Sequence, residues 1–294
     1  MLSDQPIKLI YIVGTGNSGS TLLDLLLGSH SRIESGGEIF KFPDFFSLAS
    51  QRAADKQVCT CGVHVKDCGY WQRVWQQLHL GNSSINLDIN TQHQKAFEER
   101  NLQLISALLA LSGKAIFCDS SKGLGRLKRF LKSKFFDVTI VHLVRDGRAV
   151  SFSRQKKAAR KANRSDRWSE YQDSYFKSLA AWKRENAKIY RRLSTDPRYY
   201  CLKYEDLVAD PHGKLTEILA PIDLKFEDQQ LAFWQATHHN LSGNRMRLGL
   251  TPSTPRVIQR DTSYLENLPY SQWWMSNLYA FRELKMFGYP LLRQ

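Results

Sequence analysis

Residues 7–28 read IKLIYIVGTGNSGSTLLDLLLG, and the reading of this stretch decides the fold. Ile7–Val13 is an apolar run rich in β-branched side chains, which predicts a buried strand. Gly14-Thr-Gly-Asn-Ser-Gly-Ser-Thr21 comes next, and Thr21–Gly28 continues as a leucine-rich helical pattern. Small residues between a strand and a helix let the backbone close around an anion, with N–H groups facing inward and the helix N-terminus adding the positive end of a dipole. An ordinary glycine-rich turn is the plainer reading, but the flanks favour a phosphate loop. The nucleotide-hydrolysing form of such a loop carries a lysine before its Ser/Thr, which reaches the β- and γ-phosphates. Ser20 stands there instead, so this loop lacks the cation on which an ATPase, GTPase or kinase of that kind depends.

Downstream the alternation continues. Apolar runs at Ala115–Cys118, Val138–Val144 and Tyr199–Leu202, with a weaker one near Ile33, predict further strands. Helical patterns separate them at Thr91–Leu111, capped by Asn90 and stopped by Gly113, and at Leu124–Lys134, Arg148–Asn163 and Trp168–Leu193. Strands alternating with helices imply βαβ crossovers, hence a doubly wound α/β fold with a mainly parallel sheet and helices on both faces. No linker divides the sequence, so a single domain over 1–294 is expected, with an insertion at about 40–76 and a helical C-terminal part over 211–294. Ligands of open α/β sheets sit beyond the carboxyl ends of the strands. The residues just after each strand are therefore diagnostic: Gly36-Gly-Glu38, Asp119-Ser-Ser-Lys122, Arg145-Asp-Gly-Arg148 and Lys203-Tyr-Glu-Asp206 are expected on the edge that carries Gly14–Thr21.

The 294 residues carry 42 Lys+Arg against 28 Asp+Glu, a formal net charge of +14, so anionic ligands are expected. With 42% hydrophobic and 12% aromatic residues the chain can bury a large core, which excludes a mainly disordered or collagen-like protein. No apolar stretch approaches the roughly 20 residues of a membrane helix, and the N-terminus lacks the basic-then-apolar order of an export signal. Five irregularly spaced cysteines do not form a secreted disulfide framework, so a reducing, cytoplasmic setting is expected.

Three segments, in order between residues 8 and 211, carry a resemblance. Ser18-Gly19-Ser20-Thr21-Leu22-Leu23 resembles the 5′-phosphosulfate loop of the sulfotransferases that use 3′-phosphoadenosine-5′-phosphosulfate (PAPS). The segment from Val141 to Ser153 resembles their 3′-phosphate motif, where an arginine ends a strand and a serine comes eight residues later. Tyr204-Glu-Asp-Leu207, with Asp210-Pro211 behind it, resembles an element whose tyrosine lies near the nucleotide. The resemblance implies transfer of a sulfuryl group from PAPS to a hydroxyl, less readily an amine, of a carbohydrate, lipid, small molecule or tyrosine. It places Gly16, Asn17, Ser18, Gly19, Ser20 and Thr21 on the phosphosulfate, Arg145 and Ser153 on the 3′-phosphate, and Tyr204 beside them. The chemistry of the residues agrees: Arg145 can grip a phosphate bidentately and Ser153 can donate a hydroxyl. The plainer readings are an ion pair of Arg145 with Asp146, an exposed structural Arg148 and a core Tyr204.

Sulfuryl transfer needs in-line positioning, cations on the oxygens that gain charge, and a base for the acceptor hydroxyl; it requires no metal. Glu38, behind two glycines, is the expected base, in a place where relatives acting on protein or carbohydrate often carry a glutamate. Ser35-x-x-Glu38 also fits a capping box. Lys122 is the expected cation, against the alternative of a solvated lysine at a helix start. Many relatives carry Lys or Arg where this chain has the uncharged Asn17, which adds weight to Lys122. Ser242–Arg247 occupies the place where relatives close a basic, glycine-containing segment over the 3′-phosphate. Arg245 and Arg247 are candidate clamps there, or ordinary surface arginines.

Cys59-x-Cys61-x-x-His64-x-x-x-Cys68 offers four metal ligands within ten residues. Its C-x-C start departs from the usual zinc spacing, so a structural zinc site, a disulfide and free thiols in a packed loop all stay open. Arg154–Arg167 is strongly basic and suits an acidic acceptor or a solvated face. The aromatics Trp168, Tyr171, Tyr175 and Trp182 recur at helical intervals, as core or as a pocket wall. They do not interleave with the basic residues as nucleic-acid stacking platforms would, so nucleic acid is disfavoured. The rivals are a kinase, disfavoured by Ser20, and a non-catalytic polyanion-binding protein.

Overall fold

The computed structural model describes residues 5–46, 57–80, 86–161 and 172–293. Arg164, Arg167, Trp168 and Tyr171 of the expected basic and aromatic run lie outside the described residues, as do the side chains of Arg160 and Lys161 and part of the insertion, 47–56. In chain order the elements are β1 (Ile7–Gly14), α1 (Ser20–Gly28), β2 (Ile33–Ser35), α2 (Phe42–Phe46), α3 (Gly69–His79), α4 (Gln94–Ser112), β3 (Ile116–Lys122), α5 (Leu124–Leu131), β4 (Phe136–Val144), α6 (Gly147–Lys161), α7 (Gln172–Leu193), β5 (Tyr199–Lys203), α8 (Tyr204–Ala209), α9 (Pro211–Leu219), α10 (Ser263–Asn267), α11 (Tyr270–Tyr279) and α12 (Phe281–Met286). The strands form one sheet in the order β2-β3-β1-β4-β5, and β1 and β2 both pair with β3 in parallel. The expected α/β architecture is present. Among the described residues no helix is long and apolar enough to cross a membrane.

Two compact units make up the chain. The first comprises Met1–Val13, Ser20–Val141 and His212–Val257, the second Gly14–Gly19, His142–Pro211 and Ile258–Gln294. In the first, Leu9–Val13 of β1 are fully buried, as a strand covered on both faces requires. Every residue of α1 except Thr21 is buried too. Helix α4 ends as expected, with Gly113 in the left-handed conformation (φ 69°) and its N–H donating to the Leu109 carbonyl. Its start differs from expectation. His93 is the N-cap and accepts from the Ala96 N–H, while Asn90 is occupied elsewhere, donating to the Phe40 carbonyl.

Strand β3 also runs further than its apolar residues, through Asp119-Ser-Ser-Lys122. Asp119, Ser120 and Ser121 can be buried because partners satisfy them. The Asp119 carboxylate pairs with Arg126 (Nε to Oδ2 3.0 Å), which also donates to the Asn101 side chain and the Ile89 carbonyl. Between Tyr11 and Val13 the β1–β3 register shifts, and Lys122 at the strand end takes a left-handed φ of 68°.

In the second unit, α6 and α7 pack against each other, with Val150, Tyr175, Leu179, Trp182, Trp273 and Phe287 in one buried cluster. Tyr175 and Trp182 are thus core residues. Arg148 was expected to be exposed; it is 0% exposed and structural. Its guanidinium lies 3.9 Å from the Trp273 ring centroid and pairs with Asp146 (Nη2 to Oδ2 2.7 Å) while donating to Asn277 and the Pro290 carbonyl. A buried charge of this kind is tolerated because nearly every donor has an acceptor.

Candidate active site

Gly14–Gly19, the loop after β1, belongs to the second unit, whose side chains hold it. Arg145 Nη1 donates to the Asn17 carbonyl (3.3 Å) and Arg154 Nη2 to the Gly16 carbonyl (3.0 Å). Inside the loop, the hydroxyls of Thr15 and Ser18 lie 3.0 Å apart. Asn17 (φ 69°) and Gly19 (φ 92°) are left-handed, a conformation that turns successive N–H groups toward one side as a backbone nest for an anion. Asn is one of the few side chains at ease there, a physical reason for it at a position where a longer basic residue would be strained. Gly19 has a second constraint: a Cβ there would sit 2.3 Å from Cδ2 of Tyr204.

Tyr204 in turn carries Arg145, whose guanidinium lies 4.8 Å from the ring centroid. Burial pushes the Tyr204 phenol up, against the pull of Arg145, so it stays a neutral donor, here toward the Gln259 carbonyl. Arg145 does not pair with Asp146, which is taken by Arg148. Its remaining contacts are to the carbonyl and carboxylate of Asp261 at 3.4 and 3.5 Å, and the Trp182 indole fixes its carbonyl (2.9 Å). Ser153 lies half-buried about two turns into α6. Arg154 opens the basic run Arg154–Arg167, yet it braces the loop and also donates to Ser178 (3.2 Å).

In the first unit the structure brings Glu38 and Lys122 together. Lys122 Nζ donates to Glu38 Oε1 (2.6 Å) and to the Ser120 carbonyl (3.1 Å). The other carboxylate oxygen pairs with Lys41, whose ammonium also donates to Ser242 Oγ (2.9 Å). Glu38 makes no side-chain cap and Ser35 bonds to Asp24, so the capping-box reading falls away. Burial disfavours the Glu38 charge, but the ammonium of Lys122 and the bonds from both lysines outweigh it and hold the carboxyl below its ordinary value. Gly37 (φ 71°) is pressed between the Asn240 side chain and the Ser242 carbonyl, each 2.9 Å from where a Cβ would sit. Its own carbonyl accepts from the Ser120 N–H (3.2 Å). These contacts fix the turn that presents Glu38.

Residues 239–247 run along this site as a strap. Asn240 donates to the buried Asp24 carboxylate, and the Asn244 N–H donates to Thr21 Oγ1 (2.9 Å), at the start of α1. Burial raises the Asp24 carboxyl to about 7. Arg247 is not the surface arginine that the plainer reading expected. It is buried, with Nη1 on Thr60 Oγ1 and the Asn240 carbonyl and Nη2 on the Val58 carbonyl (2.7 Å), so it ties the strap to the cysteine insertion. Arg245 is the exposed arginine of the pair. The cysteine cluster also differs from its sequence reading. Cys59, Cys61 and Cys68 converge with His239, while His64 caps a short turn by accepting from the Lys66 N–H.

A family model described as "Sulfotransferase family" matches residues 10–228, most of the chain. The chain belongs to the sulfotransferase family. A Caenorhabditis briggsae protein named "Putative protein-tyrosine sulfotransferase" is 23% identical to it over 247 residues, 82% of this chain and 72% of that protein. Two solved structures share the fold. The sulfotransferase domain from the curacin biosynthetic pathway superposes with a TM-score of 0.62 at 21% identity, over 98% of this chain and 99% of that one. The sulfotransferase domain of the Synechococcus PCC 7002 olefin synthase gives 0.59 at 18% identity, over 99% of both.

Four residues of this sulfotransferase escaped the sequence reading of its site. Lys41 stood three residues after Glu38, a spacing that does pair charges on a helical turn. Arg154 was hidden in a charge run. Asp24 and His239 gave no local signal, because their partners lie far away in sequence.

Proposed function

We propose that this sulfotransferase uses PAPS and transfers its sulfuryl group to an acceptor hydroxyl, with Glu38 as base and Lys122 as the electrostatic catalyst. The observation that supports the chemistry best is the half-buried Glu38 carboxylate held between two lysines. PAPS brings an activated sulfuryl group: the acceptor oxygen bonds to sulfur as the bond from sulfur to the 5′-phosphate oxygen breaks. Glu38 takes the hydroxyl proton. Its proton affinity is low while Lys122 and Lys41 neutralise it, and rises when Lys122 turns to the charge that develops on the departing phosphate. The base thus strengthens as the cation is drawn away.

The donor set suits a nucleotide with two anionic groups. Loop N–H groups and the Ser18, Ser20 and Thr21 hydroxyls hold the 5′-phosphosulfate, with Gly16, Asn17 and Gly19 allowing the close backbone approach. Arg145 and Ser153 take the 3′-phosphate. The Asn17 and Asp261 contacts of Arg145, all at 3.3–3.5 Å, are long enough to yield to a charge-assisted pair with phosphate, and Tyr204 keeps the guanidinium plane in place. Arg245 is the strap arginine assigned to the phosphate, with Arg247 behind it as a brace.

Calorimetric titration with the desulfated nucleotide, 3′-phosphoadenosine 5′-phosphate, tests the donor. Saturable binding that persists at moderate salt is expected, whereas binding of any polyanion that collapses with salt would favour the non-catalytic rival. Labelled PAPS offered with phenol, saccharide, lipid and tyrosine-peptide acceptors then tests transfer, with Glu38→Gln expected to be inactive. No label in any acceptor class, from protein that binds the nucleotide, would refute the hydroxyl-transfer reading.

A further inference from the structure

The insertion ahead of α3 ends in a cluster that the sulfuryl chemistry does not use. Cys61 Sγ and Cys68 Sγ are 3.6 Å apart, and Nδ1 of His239 lies 3.4 Å from Cys68 Sγ and 3.7 Å from Cys59 Sγ. All four ligand atoms fall within 4.8 Å of one another. A disulfide would bring two sulfurs to about 2.05 Å, and all three thiols are free. The separations match a different object. With zinc–sulfur bonds of about 2.3 Å and zinc–nitrogen bonds of about 2.0 Å, a tetrahedron has S···S edges of about 3.8 Å and S···N edges of about 3.5 Å.

We propose that Cys59, Cys61, Cys68 and His239 hold a structural zinc ion. The assignment does not rest on the proposed donor or acceptor. Three sulfurs and one imidazole nitrogen, with three of their separations at the edge lengths of a zinc tetrahedron, are a zinc donor set, and four protein ligands leave no open position for catalysis. The supporting shell is built to match. Cys59 lies in a tight turn, its N–H donating to the Val63 carbonyl (2.8 Å) and its carbonyl accepting from the Gly62 N–H (2.9 Å). Cys68 is the N-cap of α3, which fixes it at the positive end of the helix dipole. The His239 ring stacks on Tyr70 with centroids 4.5 Å apart, and the Trp71 indole donates to its carbonyl (2.8 Å), which together fix the ring with Nδ1 toward the sulfurs.

Three thiolates around a divalent ion leave one net negative charge. Arg247 answers it: its Nη atoms bond to groups beside the ligands, Val58, Thr60 and Asn240, and its Nε is buried with no partner among the described residues. The ion ties the insertion to the strap at His239. The next residues of the strap reach Asp24 through Asn240, Lys41 through Ser242 and Thr21 through Asn244, so the staple steadies the segment that holds Lys41 against Glu38.

Protein purified under reducing conditions, as isolated and after addition of zinc, should retain one zinc per chain against a competing chelator. Cobalt(II) exchanged into the site should show the visible absorption of a tetrahedral ion and sulfur-to-cobalt charge transfer in the near ultraviolet. Cys61→Ser, at an exposed ligand, and His239→Ala should weaken metal retention by at least about tenfold, whereas His64→Ala should leave it unchanged. Should His239→Ala fail to fold, the wild-type cobalt spectrum carries the test. Failure of the wild type to retain stoichiometric metal after zinc addition, an octahedral cobalt spectrum, or a His64→Ala variant that loses metal would each overturn the assignment.

Discussion

Of the glycines from Gly14 to Gly19, Gly19 leaves the least room for a Cβ, because the Tyr204 ring lies against it, and Gly19→Ala should be costly for two separable reasons. At φ 92° an alanine pays left-handed strain of about 1–2 kcal/mol. Its Cβ would also sit 2.3 Å from Cδ2 and 2.8 Å from Cε2 of a ring that is buried and lies under Arg145. Forcing that ring aside is an overpacking change of about 1–3 kcal/mol. Together they predict a loss of about 2–5 kcal/mol, a fall in Tm of roughly 5–15 °C. Affinity for 3′-phosphoadenosine 5′-phosphate should fall as well, because Arg145 moves with the ring. The assay is a double-mutant cycle with Tyr204→Ala, read by thermal unfolding and by calorimetric nucleotide titration. In the Tyr204→Ala background only the strain remains, so Gly19→Ala should then cost about 1–2 kcal/mol, a coupling of roughly 1–3 kcal/mol. Equal costs in the two backgrounds would refute the claim that the ring is what demands glycine.

Lys122→Met should lower kcat/KM by about 10²–10³ through loss of a transition-state cation. With that ammonium gone, burial is opposed only by Lys41 and the Glu38 carboxyl rises, so the acidic limb of the rate profile should move to higher pH; an unmoved limb would separate Glu38 from the proton transfer. Arg145→Ala should weaken binding of the desulfated nucleotide by roughly 10–100-fold, with Arg145→Lys recovering only part because it keeps a point charge without the fork, and an unchanged Kd would dissociate Arg145 from the 3′-phosphate. Asp24, raised by burial to about 7, lies above its unfolded value near 3.8, so its contribution to stability is full below about pH 4 and is lost as pH rises through 7. Wild-type Tm should therefore decline between pH 5 and pH 8.5 more steeply than that of Asp24→Asn, and parallel curves from a fluorimetric melt series would disprove the linkage.

The first strand, loop and helix were legible because their signals are local: a β-branched run, a cluster of small residues and a leucine-rich helix. The end of β3 was not, since a strand normally stops where apolar residues do, and here Arg126 satisfies the buried Asp119 instead. Arg148 looked like a surface residue for the same reason: nothing near it in sequence announces Asn277 or the Pro290 carbonyl. Within the candidate site, Glu38 and Lys122 could each be proposed from the strand they come after, yet the third charge, Lys41, showed only once the short turn had formed. His239 lies 171 residues from Cys68, and a motif read along the chain was drawn to the nearer His64. Spacing rules capture ligands that share one turn, and they cannot see one delivered by a distant strap.

Lys122 also narrows what mutation can do at the end of β3. Residues at ease with a φ of 68° are Gly, Asn and Asp, none of which is a cation, and arginine would restore the positive charge while keeping the strain. Drift at this position therefore trades backbone comfort against the cation. On the proposed role of Lys122, the backbone strain at the end of β3 is the cost of placing an ammonium beside Glu38.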